Sequence, residues 1–300
     1  MTNTMNTSQE IKQQVVAKRV VKGFTYLFLT IMALFVILPF YWMLITSLKS
    51  GVEVRVFPPT LFPNELVWSN YGEALQRANL IRYFVNTIIV SVASTIFGTL
   101  FSIFTAFALS RLQFKGREII FTILLATMMI PGEMMVISNY ITVSNFGWVD
   151  AGQGASVPNG PYYAMVVPFL ISIFHIYLLR QTFKQVPNEL YYAAKVDGTS
   201  DWKYLWKVMV PLAKPSLITI VILKLMGAWN SYVWPNLVAS ENFRLVTNGL
   251  RAAFQDADSG QTEFHLQMAA TVLVTLPLLF LFIFFRKYIM RGVSRSGIKG

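Results

Sequence analysis

Long apolar stretches alternate with short polar connections along the chain. A helix needs about 20 mostly apolar residues to cross the hydrocarbon core of a bilayer, and six stretches are long enough. The first has too long an apolar core for a signal peptide and no small-residue cleavage site follows it, so we expect it to remain as an anchor. The six predicted spans are residues 24–48, 83–109, 119–143, 162–179, 216–233 and 268–285.

The composition supports an all-α, polytopic membrane protein. Hydrophobic residues make up 55% of the 300 positions and charged residues only 13%, whereas soluble domains carry about 25% charged residues. So little polar surface excludes a soluble enzyme or a nucleic-acid-binding protein. The absence of cysteine excludes disulfides, thiolate metal sites and a cysteine nucleophile.

The distribution of the positive charge predicts the orientation. Eighteen of the 25 Lys and Arg residues fall on one side of the predicted spans and six on the other, with Lys224 inside a span. Because cytoplasmic loops carry the excess of Lys and Arg, we expect both terminal segments, residues 1–23 and 286–300, to be cytoplasmic. The net charge of +11 is therefore a topology signal and not a sign of nucleic-acid binding.

A proline inside an apolar run removes a backbone hydrogen bond and favours a kink, and we expect kinks at three such prolines. They are Pro39, Pro131 and Pro168.

Residues 187–209, which we call the coupling segment, are too polar to span. Apolar residues recur at helical spacing on both sides of Asp197-Gly198, a turn signal. Ser200 or Asp201 can cap the second helix. The pattern predicts two short amphipathic helices joined by a glycine turn, on the cytoplasmic side.

The residues alone leave two interpretations of this segment open. It is either an interfacial helix, with Trp202 and Trp206 in the aromatic belt of the membrane, or a docking surface for another protein. The second interpretation uses Ala193 and Ala194, whose small side chains allow a partner to approach closely.

A resemblance favours docking. The spacing of Ala193-Ala194 and Gly198 resembles the coupling motif of ABC importer permeases, and the stretch from Pro187 onward resembles their carbohydrate-uptake branch. The Ala228-Trp229-Asn230 run with Trp234-Pro235 resembles the fifth-span signature of that branch, and the terminal residues 297–300 resemble the tail of the second permease of maltose-type importers. The resemblance extends over essentially the whole chain.

The resemblance implies a type I ABC importer fold and a set of partners. These are a sister permease, two ATP-binding subunits that carry ATP and magnesium, and an extracytoplasmic binding protein that docks on residues 51–82 and 236–267 and delivers a carbohydrate. The expected location is the cytoplasmic membrane of a bacterium or archaeon. The chain itself has no phosphate-binding loop, no metal-ligand spacing at its two histidines, and no expected cofactor or enzyme activity.

The resemblance also assigns contact residues to the ATP-binding subunits. One position departs from the family pattern, because Tyr192 stands where a glutamate usually precedes the two alanines; a salt bridge from that glutamate is not carried over, although Glu189 lies one helical turn earlier. The expected coupling residues are Glu189, Tyr192, Ala193, Ala194, Asp197, Gly198, Trp202 and Trp206, and the expected tail contacts are Gly297, Lys299 and Gly300.

Ionisable groups at bilayer depth are functional candidates. Glu133 and Lys224 either pair across the bundle or line the pathway, and Lys224 is alternatively a snorkelling cation or a contact for an acidic sugar. Aromatic residues near the ends of spans are equally consistent with belt positions, and we expect His175 to be a packing residue. The pathway candidates are Glu133, Asn139, Lys224, Trp229, Asn230 and Trp234.

Two alternative functions remain at this stage. The first is a permease for a glycerol phosphodiester or an acidic sugar. The second is an ion-driven secondary transporter that acts alone, which predicts inverted repeats or more intramembrane charge. A membrane enzyme is disfavoured because no catalytic constellation is apparent.

Overall fold

A computed structural model describes residues 2–77, 79–152, 154–252, 254 and 262–294. That part of the chain is α-helical and contains no β-strand, which confirms the predicted fold class. The α-helices are α1 Thr2–Ser47, α2 Ser69–Arg77, α3 Leu80–Ser110, α4 Arg117–Thr127, α5 Val136–Asn145, α6 Gly160–Val166, α7 Ile173–Lys184, α8 Asn188–Val196, α9 Asp201–Tyr204, α10 Val210–Leu212, α11 Lys214–Trp229, α12 Val233–Val238, α13 Val246–Ala252 and α14 Phe264–Ser294. Short 3₁₀ turns and one π-helical stretch, Leu205–Met209, connect some of them.

Within the described residues, three single helices are long and apolar enough to cross a membrane, and the number rises to six if each of three bent helix pairs is one span. The single helices are Lys18–Ser47, Leu80–Ser110 and Phe264–Lys287. The bent pairs are Arg117–Thr127 with Gly132–Asn145, Gly160–Phe169 with Ile173–Lys184, and Asp201–Leu212 with Lys214–Trp229. The count of six spans therefore stays a prediction.

Helix α3 is the centre of the bundle. Half of its most apolar window is buried, compared with 6% for the corresponding window of α1. Its buried positions include many small and hydroxyl-bearing residues, such as Ser91, Ser94, Gly98 and Ser102. Small side chains let neighbouring helices approach closely, and α3 packs most extensively against α11 and α7.

Two of the three predicted kinks coincide with breaks in the structure. The predicted span 119–143 is bent by 89° where α4 ends before Pro131, and a 3₁₀ turn, Gly132–Met135, follows. The predicted span 162–179 is bent by 45° just after the turn that contains Pro168. Helix α1, in contrast, continues through Pro39 without interruption.

The predicted fifth span, residues 216–233, is shorter in the structure. Helix α11 ends at Trp229, and a separate short helix, α12, begins at Val233. At its other end, α11 meets the helical stretch Asp201–Leu212 at an angle of 82°. This stretch includes the second half of the coupling segment, which therefore leads directly into α11.

Candidate functional site

The coupling segment has the two short helices that its sequence predicts. Helix α8 ends at Val196, and Gly198 adopts a left-handed conformation with φ of 69°, which glycine tolerates because it lacks a Cβ atom. The Ser200 side chain then accepts a hydrogen bond from the Lys203 backbone N–H at 3.3 Å and caps α9.

One face of α8 has no packing partner among the described residues. Glu189, Tyr192, Ala193 and Val196 are exposed, and they follow the spacing of one helix face. Tyr192 is 54% and Val196 89% exposed. This face contains three of the predicted coupling residues, and the exposed turn at Asp197 and Gly198 extends it.

The opposite face of α8 packs against the bundle. Tyr191 and Ala194 contact the apolar cluster that joins α3, α7 and the start of α11. The predicted coupling residue Ala194 therefore lies on the side of α8 that faces the bundle, where it packs against this apolar cluster. The structure divides the two alanines of the motif between the two faces.

A polar clasp holds the two helices of the coupling segment together. The Tyr191 hydroxyl donates to Asp201 Oδ1 at 2.7 Å, and Lys195 Nζ lies 2.8 Å from the same oxygen. The hydrogen bond to Asp201 raises the pKa of the Lys195 ammonium. The clasp spans the glycine turn and so makes the two helices one unit.

The two tryptophans of the segment attach it to α3. Trp202 stacks on Phe104 with 5.7 Å between the ring centroids, and Trp206 meets the same ring edge-on at 6.2 Å. Trp202 nevertheless remains largely exposed. Both residues therefore link α9 and the following π-helical stretch to the centre of the bundle.

Arg111, which the sequence analysis counted only as a topology charge, ties α3 to this segment. Its buried guanidinium donates to the backbone oxygens of Phe183 and Val186 and to the side-chain oxygen of Asn188. Those acceptors are the end of α7 and the first residue of α8. Its position directly after the apolar run of α3 was the one sequence signal for this role.

A second buried arginine joins the neighbouring helices at the same end of the bundle. Arg180 donates to both oxygens of Glu118, at 2.8 and 2.7 Å, and to the Leu109 backbone oxygen at 3.0 Å. Its guanidinium also lies 3.7 Å from the centroid of the Phe121 ring. Arg180 thus connects α7 with α3 and α4 but does not contact the coupling segment.

A cavity of about 460 Å³ lies between α3, the α6–α7 break and α11. Its wall combines apolar and aromatic side chains with a few polar groups, which is the usual composition of a small-molecule site. No Asp or Glu of the described residues lines it. The polar and aromatic members of the lining are Ser94, Phe169, Ser172, His175, Lys224, Ser231 and Trp234.

Lys224 is the buried cation of this cavity. Its ammonium donates to the backbone oxygens of Phe169 and Leu170, each at 3.4 Å. These oxygens lie at the break before α7, where the regular helical hydrogen bonds are interrupted. Gly98 provides the space for the ammonium, because a Cβ atom at that position would lie 2.2 Å from Nζ.

The other pathway candidates are separated in the structure. Trp234 lines the cavity, and its indole N–H donates to the Ala164 oxygen at 2.9 Å. Trp229 is instead buried in an apolar cluster with α2, α3 and α14. Asn230 is exposed, and its side-chain amide donates to the Met226 oxygen.

Glu133 and Asn139 do not line this cavity. Glu133 is exposed in the turn that follows the 89° bend, and Asn139 is partly exposed on α5. Among the described residues, no ion pair or hydrogen bond joins the Glu133 carboxylate to the Lys224 ammonium. The hypothesis that these two charges pair across the bundle is therefore wrong for this conformation. The tail candidates Gly297, Lys299 and Gly300 lie outside the described residues.

The connections at the opposite end of the bundle are folded against it. The buried Glu53 accepts hydrogen bonds from the Thr60 hydroxyl at 2.7 Å and from the Asn64 backbone N–H at 3.0 Å. The Asn86 amide donates to the backbone oxygens of Asn242 and Arg244 at 3.0 Å. The first stretch is thus held by internal hydrogen bonds, and residues 242 and 244 of the second are held against α3.

Together the apolar helices, the cavity between them and the attached polar segment define a multi-pass membrane protein. Residues 98–295 match the family of binding-protein-dependent transport system inner membrane components, and the chain belongs to that family. It is accordingly a membrane component of a transport system.

Individual relatives share nearly the full length of the chain. It is 28% identical to the diacetylchitobiose uptake system permease of Streptomyces coelicolor, over 89% of this chain and 86% of the relative. It is 30% identical to the melibiose/raffinose/stachyose import permease of Bacillus subtilis, over 88% and 91%. Among solved structures, a bacterial ABC transporter involved in the import of the acidic polysaccharide alginate has a chain with a TM-score of 0.79 and 25% identity, over 91% of this chain and 97% of that one.

Proposed function

We propose that this chain is one of two permease subunits of an ABC importer that brings an oligosaccharide into the cytoplasm. Family membership supports import with a binding protein. The relatives named above take up diacetylchitobiose, melibiose, raffinose and stachyose, and the long shared length supports a similar substrate class here. The mixed aromatic and hydroxyl lining of the cavity suits a sugar, which has an apolar ring face and polar edges.

The single observation that carries this proposal is the unpartnered face of α8. Glu189, Tyr192, Ala193 and Val196 are presented on a helix whose other face is packed, clasped and tied to α3. An exposed apolar and aromatic helix face on a rigid support is suited to contact with another protein. The proposed partner is an ATP-binding subunit, which carries the ATP and magnesium that this chain does not bind.

The proposed mechanism is alternating access. ATP binding closes the two ATP-binding subunits and moves the coupling segment with them. Because Arg111 at the end of α3 contacts Asn188 of this segment and Phe183 of α7, and because residues 201–212 lead into α11, the movement reaches the helices around the cavity. The spans then open outward and accept the sugar from the binding protein. Coupling of this kind needs an element with two arrangements that both sites bias.

The remaining assignments follow from the same proposal. Both termini and the coupling segment are cytoplasmic, in agreement with the charge distribution. The tail residues Gly297, Lys299 and Gly300 reach between the ATP-binding subunits. Residues 51–82 and 236–267 receive the binding protein on the outer side.

Replacement of Gly198 by Asp tests the proposal. The left-handed φ of 69° disfavours any residue with a Cβ atom, and the added carboxylate lies on the proposed contact face. We expect the variant to reach the membrane but to lose co-purification of the ATP-binding subunits and vanadate-sensitive ATPase activity. Gly116→Asp is the matched control, because Gly116 also has a positive φ, of 83°, and open space around it, but lies outside the coupling segment.

The two variants separate the outcomes. Loss of the ATP-binding subunits in the Gly198 variant alone supports the proposal. Equal co-purification in both variants would contradict docking at this turn. A chain that purifies without any ATP-binding subunit, and that moves solute in liposomes on an ion gradient, would establish the secondary transporter instead.

A further inference from the structure

The cavity contains a positive charge that the described side chains do not neutralise. Lys224 is only 8% exposed, yet no carboxylate of the described residues lies within 4.0 Å of its ammonium. A buried charge is costly unless it is paired and hydrogen-bonded. The Lys224 ammonium in the cavity therefore lacks a neutralising carboxylate among the described residues.

The backbone contacts of Lys224 compensate for this lack only in part. Charge-assisted N–H···O bonds are usually about 2.7–2.9 Å long, whereas both contacts to Phe169 and Leu170 are 3.4 Å. An ammonium has three N–H donors, so one donor has no acceptor among the described residues. The ammonium is held in place loosely and retains capacity for an anionic oxygen.

Two further features direct that capacity into the cavity. Gly98 leaves the space that the ammonium occupies, since a Cβ atom there would lie 2.2 Å from Nζ. Ser94, Ser172 and Ser231 add polar groups to the same wall, and the hydrogen bond to the Ala164 oxygen fixes the indole of Trp234. A cation, hydroxyls and a fixed aromatic wall together suit a sugar that carries a negative charge.

We infer that the substrate is an acidic sugar and that its anionic group binds Lys224 during translocation. The inference rests on the proposed import of a carbohydrate and adds the charge of that carbohydrate. A carboxylate and a phosphate ester present the same anionic oxygens to the ammonium, so the experiment includes both.

The test uses the complex with its sister permease and ATP-binding subunits in phosphatidylcholine nanodiscs, trapped with ATP and vanadate. Binding of digalacturonate and galactose 6-phosphate is measured by thermal-shift titration against the neutral probes galactobiose and galactose. We expect at least one acidic probe to bind about tenfold more tightly than its neutral counterpart, as a charge-assisted hydrogen bond allows. Lys224→Met should remove this preference and Lys224→Arg should retain it.

Lys214→Met is the matched control, because Lys214 begins the same helix but is exposed and outside the cavity. Gly98→Ala is a second variant that displaces the ammonium without removing its charge, and it should weaken the preference if Lys224→Met does not fold. The inference is wrong if neither acidic probe is preferred, or if the preference survives Lys224→Met. It is also wrong if phosphatidylglycerol nanodiscs stabilise the sugar-free complex through Lys224 and abolish the preference, since the anion would then be a lipid headgroup.

The failure of this inference differs from the failure of the proposed function. Equal ATP-dependent import of a neutral oligosaccharide by the native complex and the Lys224→Met variant would overturn the charge assignment while it supports the importer. A chain that never associates with ATP-binding subunits would overturn both.

Discussion

Buried cations occur at two places along α3, and their surroundings differ. Near its end at Ser110, Arg111 contacts three oxygens and Arg180 contacts a carboxylate, a backbone oxygen and an aromatic ring. Beside the middle of α3, Lys224 of α11 has two contacts of 3.4 Å and faces a cavity. The two arginines are structural ties, although Arg111 Nε is buried without a hydrogen-bond partner among the described residues. The lysine is held by two long contacts and faces a cavity that a ligand can enter.

The difference also separates rigid from adaptable parts of the molecule. A planar guanidinium with five donors holds several elements in a fixed geometry. The ammonium is a compact charge on a flexible chain, which can change partners when a ligand arrives or the helices move. In the proposed mechanism the arginine end transmits the movement of the coupling segment, and the cavity around Lys224 responds to it.

Replacement of Arg111 should have the largest effect. Arg111→Met leaves the Phe183 and Val186 oxygens without their donor and releases Asn188, so we expect a loss of about 3 kcal/mol in stability together with weaker stimulation of ATPase activity by the binding protein. Thermal unfolding and ATPase assays of the purified complex measure both. Arg111→Lys should be intermediate, because it keeps the charge but not the fork of donors. Unchanged stability and coupling in Arg111→Met would show that the tie is dispensable.

Loss of Glu118 should have the next largest effect. Glu118→Ala removes the carboxylate from Arg180, whose side chain is 3% exposed, while Glu118 is itself 57% exposed. We expect a cost of about 2 kcal/mol, below the 3–5 kcal/mol of a fully buried pair that loses one member. The unfolding temperature measures this cost, and ATPase coupling should fall less than in the Arg111 variant. A greater loss of ATPase coupling in Glu118→Ala than in Arg111→Met would contradict the division of roles between the two arginines.

A double-mutant cycle tests the space between Gly98 and Lys224. Gly98→Ala alone should cost about 1–2 kcal/mol, because the new methyl group overlaps the ammonium. In the Lys224→Met background the flexible methionine can move aside, and the same replacement should cost less. Unfolding temperatures of the four proteins give the coupling, and additive effects would contradict the close approach.

Asp150, a buried carboxylate at the opposite end of the bundle, provides a comparison with the buried cations. Burial works to raise the pKa of Asp150, but hydrogen bonds from Ser240, Gly152 and Gly154 outweigh it and lower the pKa below its usual range. The stabilisation is therefore present above the pKa of the unfolded chain and is lost as the pH falls through the lower folded value. Asp150→Asn should cost about 1 kcal/mol at pH 7 and reduce the decline of the unfolding temperature on acidification. An unchanged acid profile would show that these hydrogen bonds do not favour the carboxylate.

The smallest stability effect is expected for Lys224→Met. Removal of a buried, poorly coordinated charge relieves a desolvation cost, which offsets the loss of two long hydrogen bonds, so the unfolding free energy should change by less than about 1 kcal/mol. Thermal unfolding without any sugar measures it, and Lys214→Met serves as the exposed control. A loss of 3 kcal/mol or more would mean that the ammonium mainly caps the oxygens of Phe169 and Leu170.

The local features of the coupling segment could be predicted because their signals are local. The spacing of apolar residues, the Asp197-Gly198 turn and the Ser200 cap each act within a few residues. The two helices of the segment consequently agree with the prediction. Its division into an exposed and a supported face, which separates Ala193 from Ala194, depends on contacts with α3 and α7 and lay beyond sequence analysis.

The surroundings of the pathway candidates could not be predicted from local sequence patterns. Trp229 and Trp234 are close in sequence and alike in chemistry, yet one is in an apolar cluster and the other lines the cavity. Glu133 and Lys224 both looked like buried charges, but the bend beside Pro131 leaves Glu133 exposed. The direction of each side chain is set by the ends and bends of helices.

The sequence by itself determined the membrane-protein class, the all-α fold and the two short helices of the coupling segment, because hydropathy and turn chemistry are properties of short stretches of chain. The tertiary structure alone decided that Arg111 and Arg180 join helices and that Lys224 faces the cavity beside α3. That distinction depends on distances between residues far apart in sequence, such as Arg111 to Val186 and Gly98 to Lys224. Helix packing brings these residues together, and no local pattern along the chain predicts that packing.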